Sequence, residues 1–297
     1  MSTIKTQPVK WHGGKSYLAS FLHSLAPPSH LESPEGYTHR HIAFAGGLGE
    51  FWNWAPTEGI AESVNDRNGE LINFYRVLRD PLMFGRFRLL VDLTPLAEDE
   101  FRAAENVNHG LQKPNARQLD ADDPVERAAA FFVRYRQSRQ GLGRDYTTPT
   151  KRLRRGMNEQ VSAWLSAVDG LAECHERLRP VEVRSCDFRR YLTQLDQPRA
   201  LFYLDPPYLA STRSSVGEYG ANEMTDDDHR ELLQLLAGLS GRFMLSGYHS
   251  TLYDDWAAAH GFACHERQID NKASSAKVKA QRVECVWTNY PATEGKH

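Results

Sequence analysis

The sequence predicts an α/β fold on a largely parallel sheet, and three observations support this. Short apolar runs of strand length alternate with longer helical patterns along most of the chain. The run Ala200-Leu201-Phe202-Tyr203-Leu204 passes straight into Asp205-Pro206-Pro207-Tyr208. Each proline lacks a donor and fixes its own φ, so the strand must end there. The final strand-like segments, near Phe262 to Ile269 and Val283 to Thr288, are joined by Asn271 to Ala280. That link is too short for a helical crossover and suits an antiparallel hairpin at one sheet edge.

In chain order, a helix is expected over Gly14–Ser24, then a strand at His41-Ile42-Ala43-Phe44 and a helix at Leu48–Trp54. A second strand, Ile60 to Val64, leads into a helix over Arg67–Leu78. The alternation then breaks. Thr94 to Arg155 holds a polar stretch (Asn106 to Asp123), a helix over Val125–Gln137 and the glycine-rich piece Gln140-Gly141-Leu142-Gly143-Arg144. We read residues 94–156 as an insertion, and 1–93 with 157–297 as the core. A helix over Asn158–Arg177 and a strand at Val181-Glu182-Val183 resume the pattern before the Ala200–Leu204 strand. The helix expected over Thr225–Leu239 opens Thr225-Asp226-Asp227-Asp228, an N-cap threonine with an acid three residues on, close to a capping box. A strand at Phe243-Met244-Leu245 precedes the terminal pair.

The 297 residues can bury a full core, and 25% charged with 40% hydrophobic residues is ordinary globular composition. No run reaches the length of a membrane span and no signal peptide is evident, so a cytoplasmic protein is expected, in a bacterial cell or a phage-infected host. Cys174, Cys186, Cys264 and Cys285 form no CxxC pair, which signals neither a disulfide framework nor a zinc site. Reduced thiols are expected. The net charge of −2 excludes a uniformly basic nucleic-acid binder. Its distribution is uneven: between Phe131 and Gln160, eight cations (Arg134, Arg136, Arg139, Arg144, Lys151, Arg152, Arg154, Arg155) face only Asp145 and Glu159. Such a cluster is either a phosphate-binding footprint or a solvated face with a mobile loop.

The chemistry is expected at strand ends, because ligands of open α/β sheets bind outside the carboxyl ends of the strands. After the first strand, Phe44-Ala45-Gly46-Gly47 lets backbone approach a ligand closely, although GxGxxG fails because its last glycine would be Trp52. Asp66 follows the second strand, twenty residues after Gly46, where an acid can accept from ribose hydroxyls or cap a helix. Trp11-His12-Gly13-Gly14-Lys15-Ser16 is no P-loop, since Val9 stands where the first glycine belongs and no strand precedes it. It reads instead as a segment bringing an aromatic and an amine to a cofactor pocket. Asp187 after the third strand is a helix cap or an acceptor for an adenine amine, with Phe188 against the ring. At Asp205-Pro206-Pro207-Tyr208, a carboxylate, a rigid carbonyl and a flat ring suit a planar molecule with an exocyclic amine. No cysteine follows a proline, as a cytosine-C5 nucleophile would, and GxSxG and HExxH are absent. The loose group His12, His39 and His41 gives no metal site.

In this order, Lys10-Trp11-His12-Gly13-Gly14-Lys15, Phe44-Ala45-Gly46-Gly47, Asn65-Asp66, Cys186-Asp187-Phe188 and Asp205-Pro206-Pro207-Tyr208 resemble the Dam-type DNA adenine-N6 methyltransferases, from about Pro8 to Asn289. Arg154-Arg155-Gly156-Met157-Asn158 and the short insertion look like phage and prophage members. Ile42-Ala43 departs from the Glu-Pro often found before the Phe, which puts a first-motif acid or rigid turn in doubt. The resemblance implies a Rossmann-like seven-stranded sheet with one antiparallel strand, and S-adenosylmethionine as cofactor with S-adenosylhomocysteine as product. It implies cofactor contacts from Trp11, Lys15, Phe44, Ala45, Gly46, Gly47, Asp66, Asp187, Phe188 and Asp205, and needs no metal. Asp205 and the Pro206 carbonyl would accept the two N6 hydrogens, and the Tyr208 ring would stack on a target base extruded from the duplex. Double-stranded DNA would be met by Arg139, Arg144, Lys151, Arg152, Arg154 and Arg155 of the insertion, and by the Ser211–Asn222 loop with Arg213 and Tyr219. A monomer is favoured slightly. Cytosine N4 and RNA adenine are the alternative acceptors, and a catalytically silent DNA-binding homologue is the alternative class.

Overall fold

The alternating runs close into one mixed sheet. The structure, a computed structural model, describes residues 4, 6–11, 13–107, 119–147, 150–213, 223–270 and 281–291. Its strands are β1 (His39–Ile42), β2 (Ala61–Asn65), the short β3 (Leu153–Arg154) and β4 (Met157–Asn158), β5 (Glu182–Arg184), β6 (Ala200–Leu204), β7 (Arg242–Gly247), β8 (Ala263–Asp270) and β9 (Gln281–Thr288). Seven of them form a sheet in the order β5-β2-β1-β6-β7-β9-β8. β1 runs parallel to β2 and β6, and β6 to β7. β9 is antiparallel to both β7 and β8, so the edge hairpin and the single reversed strand are both as expected.

The helices are α1 (Ala19–Leu25), α2 (Gly49–Trp52), α3 (Gly69–Arg79), α4 (Pro81–Asp92), α5 (Glu98–Val107), α6 (Pro124–Gln137), α7 (Glu159–Asp169), α8 (Leu171–Leu178), α9 (Phe188–Leu195), α10 (Asp226–Ala237) and α11 (Thr251–His260). Two compact units are distinguished: Met1–Ala19, Gly46–Pro56 and Asn68–Val183 form one, and Ser20–Ala45, Thr57–Arg67 and Arg184–His297 the other. Residues 94–156 fall wholly in the first. That unit is mainly helical around Phe74, Phe87, Phe132 and Trp164, with Phe132 and Trp164 rings 5.2 Å apart. Its α6 also holds the N-terminal segment, because the Arg136 guanidinium donates to the carbonyls of Pro8 (2.9 Å) and Gln7 (2.6 Å).

The second unit carries the strand ends. β6 is buried at every position, as a central strand with neighbours on both edges must be. Phe202, Leu204, Phe243, Leu245 and Trp287 pack there with Tyr191 and Leu192 of α9 and Leu232 and Leu233 of α10. α10 opens with the full capping box, Thr225 accepting from the Asp228 amide while Asp228 accepts from that of Thr225.

Structure and sequence reading part at three elements. β1 starts at His39 and stops before Ala43, two residues earlier than the apolar run suggested. Its polar residues are paired: Arg40 bridges Glu62, its register partner on β2, and His41 shares a buried chain with Ser63 (2.7 Å) and Tyr191 (2.6 Å from Ser63). The long helix expected over Asn158–Arg177 breaks at Gly170 into α7 and α8. The helix expected from Gly14 opens as a tight turn at Ser16–Leu18.

Candidate active site

Four adjacent strands of the sheet, β5, β2, β1 and β6, end in the residues singled out by the sequence. Asn65, the last residue of β2 and 1% exposed, ties the ends of β5, β2 and β1 together. Its amide nitrogen donates to the Ala43 carbonyl (3.1 Å) and the Cys186 carbonyl (3.0 Å), and its oxygen accepts from the Cys186 amide (3.0 Å). The Ala45 amide closes the set on the Asn65 carbonyl at 2.8 Å. The Asn65-Asp66 motif was assigned a role only for its acid, although an amide carrying both donors and an acceptor is the side chain suited to bridging two backbone segments. The clamp sets Phe44 against Phe188, ring centroids 5.6 Å apart, with Asp66 and Asp187 half-buried at the neighbouring strand ends. Asp187 does cap α9, accepting from the Arg189 amide at 2.9 Å, and its carboxylate also meets the Arg189 guanidinium.

At the end of β6, Asp205 is half-buried and Pro206 buried. Tyr208 is covered, 8% exposed; its hydroxyl donates to the fully buried carboxylate of Glu284 on β9. The Tyr208 ring meets Tyr248 edge to face at 4.8 Å. Burial pushes the Tyr208 phenol up, and the carboxylates of Asp205 and Glu284 push it further, so it remains a donor throughout the neutral range. Glu284 and Tyr248 carried no sequence signal, since a lone acid inside a strand pattern reads as a solvent-facing position.

The first unit holds the N-terminal motif and the glycine turn. Gly46 has φ +44°, and a Cβ there would lie 2.9 Å from Trp11 Nε1. A Cβ on Gly47 would lie 2.5 Å from the Trp11 Cβ, so Trp11 lies directly on glycine backbone. The indole also stacks on Tyr135, centroids 5.0 Å apart. Tyr75 donates to the Gly46 carbonyl (2.6 Å) and Trp52 to that of Gly47 (2.9 Å), which fixes the turn. Lys15 is buried, its amine donating to the Gly13 carbonyl at 3.1 Å. His12 lies outside the described residues.

The family model for D12 class N6 adenine-specific DNA methyltransferase matches residues 11–270. The chain belongs to this family. The Dam-type resemblance and the seven-stranded sheet are thereby borne out. The methyltransferase is also 25% identical over 296 residues to the Type II methyltransferase M1.LlaDCHI of Lactococcus lactis subsp. cremoris, across 95% of this chain and 94% of that relative. Its substrate is therefore DNA and its acceptor the N6 amine of adenine. No helix among the described residues is long and apolar enough to cross a membrane.

The cationic residues of the methyltransferase sort into two kinds. Arg134 and Arg136 serve the fold, Arg134 donating to the Gly143 carbonyl at 3.0 Å. Arg139, Arg144, Lys151, Arg152, Arg154 and Arg155 are exposed. The last four belong to or flank a hairpin that the sequence did not reveal, β3 against β4, whose turn residues Arg155 and Gly156 have φ +55° and +74°. Leu153 beside them is 76% exposed. Arg213 stands apart, in the second unit, its side chain 7% exposed and paired with Glu223. Tyr219, with the rest of 214–222, lies outside the described residues.

Proposed function

We propose that the chain methylates adenine within a specific double-stranded DNA sequence, with S-adenosylmethionine as donor and Asp205 and Pro206 gripping the acceptor amine. The observation that carries this is the Asp205-Pro206-Pro207-Tyr208 turn at the carboxyl end of central β6, in one sheet with the ends bearing Phe44, Asp66 and Asp187. The residues present fit the cofactor. The missing Cβ atoms of Gly46 and Gly47 let the Trp11 indole lie on the turn, and in the second unit carboxylates close two neighbouring strand ends. In the second unit, Phe44, Ala45 and Asp205 would hold it, with Asp66 for the ribose and Asp187 and Phe188 for the adenine; in the first unit, Trp11, Lys15, Gly46 and Gly47 are the proposed contacts. Bound S-adenosylmethionine supplies a methyl group already activated by the sulfonium.

The chain's own task is to prepare the nitrogen. The N6 lone pair is delocalised into the purine and is a poor nucleophile. An Asp205 carboxylate oxygen and the Pro206 carbonyl each accept one amine hydrogen, favouring a tetrahedral nitrogen with its lone pair available. Fixed placement then contributes through proximity. Tyr208 is held by Glu284 and walls the turn together with Tyr248. A base platform at Tyr208 requires its covered face to open when the extruded base arrives.

The exposed arginines of the β3–β4 hairpin, with Arg139, Arg144 and Lys151, supply phosphate contacts, and Leu153 an apolar edge beside them. In the second unit, Arg213 would meet a phosphate only after releasing Glu223. The Type II description of the relative supports a modification enzyme working beside a restriction endonuclease. Asp205→Ala should abolish labelled-methyl transfer to DNA while circular dichroism and melting stay near wild type. Substantial residual turnover would remove Asp205 from this role.

A further inference from the structure

Next in sequence to Tyr248 and Glu284, the two residues that meet Tyr208, the second unit gathers two thiols and an imidazole. Cys264 of β8 and Cys285 of β9 are diagonal neighbours on one face of the edge hairpin, since Cys264 faces Trp287 and Glu266 faces Cys285 in the register. His249 follows β7 by two residues, and Gly247 at the end of β7 faces Cys285. The sulfurs of Cys264 and Cys285 and a ring nitrogen of His249 all lie within 4.8 Å of one another. Cys264 and His249 are exposed and Cys285 is buried, so the cluster opens to solvent on one side only.

Two carboxylates stand behind the imidazole. His249 Nδ1 is 2.9 Å from Asp254 of α11, and Nε2 is 3.2 Å from Glu266 of β8. A metal-bound histidine characteristically gives its second N–H to a carboxylate, which fixes ring and tautomer. Either nitrogen of His249 can therefore coordinate while the other donates. A simple disulfide between the cysteines would leave this orientation of His249 without a use. We propose that Cys264, Cys285 and His249 bind one zinc ion, with water or Glu266 in the fourth position. Two thiolates and an imidazole are a borderline-soft donor set that suits tetrahedral zinc over magnesium or calcium.

Both thiols must lose their protons, and His249 must be neutral, to bind the metal. Zinc affinity therefore falls as pH falls. The site is structural: it fastens edge strand β8 to β9 and to the turn after β7, while Glu284 beside Cys285 points to the opposite face, toward Tyr208.

The test uses the full chain, purified under reductant, stripped with chelator, and titrated with Zn²⁺ and with Co²⁺ as a spectroscopic substitute. One equivalent should bind, the cobalt form should show a thiolate-to-metal charge-transfer band, and zinc should raise the melting temperature. Cys264→Ala and His249→Gln, both at exposed positions, should lose the stoichiometric site, and Cys264→Ala should also reduce the band. Asp254→Asn should weaken zinc about 10–100-fold. Binding that survives both first variants, a cobalt spectrum without the thiolate band, or thiols isolated as a Cys264–Cys285 disulfide with no retained metal would overturn the proposal.

Discussion

Tyr208→Phe keeps the ring of the Asp-Pro-Pro-Tyr turn and deletes only the hydroxyl that donates to Glu284. Tyr208 is 8% exposed and Glu284 0%, so solvent cannot replace the lost bond. The apolar burial of the ring is unchanged, and the whole loss is polar. A hydrogen bond to a charged group contributes about 1.5–3 kcal/mol, which sets the expected destabilisation. Glu284→Gln keeps an acceptor but removes its charge, and should cost about half as much, because charge-assisted bonds are roughly twice as strong as neutral ones. If the two groups act through each other, the double variant should cost about 1 kcal/mol less than the sum of the singles. The assay is urea unfolding at constant m, repeated across neutral pH, where the raised phenol keeps the coupling flat. Single costs adding within about 0.5 kcal/mol would refute the view that Glu284 holds Tyr208.

Asn65→Ala removes the partners of two carbonyls and an amide at the strand ends, and should lower stability by about 3 kcal/mol or more, read from the urea midpoint. Gly47→Ala drives a methyl into Trp11 and should cost about 1–3 kcal/mol with loss of S-adenosylmethionine affinity by calorimetry; wild-type affinity would detach Trp11 from the cofactor. Reversing Arg152, Arg154 and Arg155 to Glu should weaken DNA binding and flatten the plot of log K against log salt by about 0.9 for each phosphate no longer neutralised, and an unchanged slope would move the footprint elsewhere. Burial holds His41 down to about 3 and His229 to about 4, against about 6.5 unfolded, so the unfolded chain binds more protons below about pH 6.5. Their stabilisation is complete above that pH and falls on acidification by about 1.4 kcal/mol per pH unit per histidine; His229→Gln should remove one histidine's share of the slope, measured by urea midpoints at successive pH.

The parts of the fold legible in the sequence were those written in local chemistry. Ala200–Leu204 was found to the residue because an apolar run meets two prolines, and the start of α10 because Thr225 and Asp228 cap each other. β1 was displaced because Arg40 looks exposed until Glu62 supplies its partner from distant sequence. The α7–α8 break went unseen because apolar spacing continues across Gly170, whose φ of −72° is ordinary. α9 was hidden by its shortness and by the ligand reading of Asp187, which also caps it. The site showed the same division. Strand-end motifs announced themselves, whereas Asn65, Glu284 and Tyr248 act only through partners 22 to 121 residues away in the chain.

Register on β9 links these observations. Leu245 faces Trp287 and Gly247 faces Cys285 across β7 and β9, which puts 285 and 287 on one face and 284 on the other. A slip by one residue would exchange the faces. The Glu284 carboxylate would then enter the apolar cluster of Trp287, Tyr253 and Ala257, and a thiol would replace it against the Tyr208 hydroxyl. Burying that acid without its partner costs several times what the bond contributes, so the register is chosen steeply. The reversed strand thus does more than close the sheet: by fixing where Glu284 points, it fixes Tyr208, three residues beyond the acid proposed to grip the adenine amine.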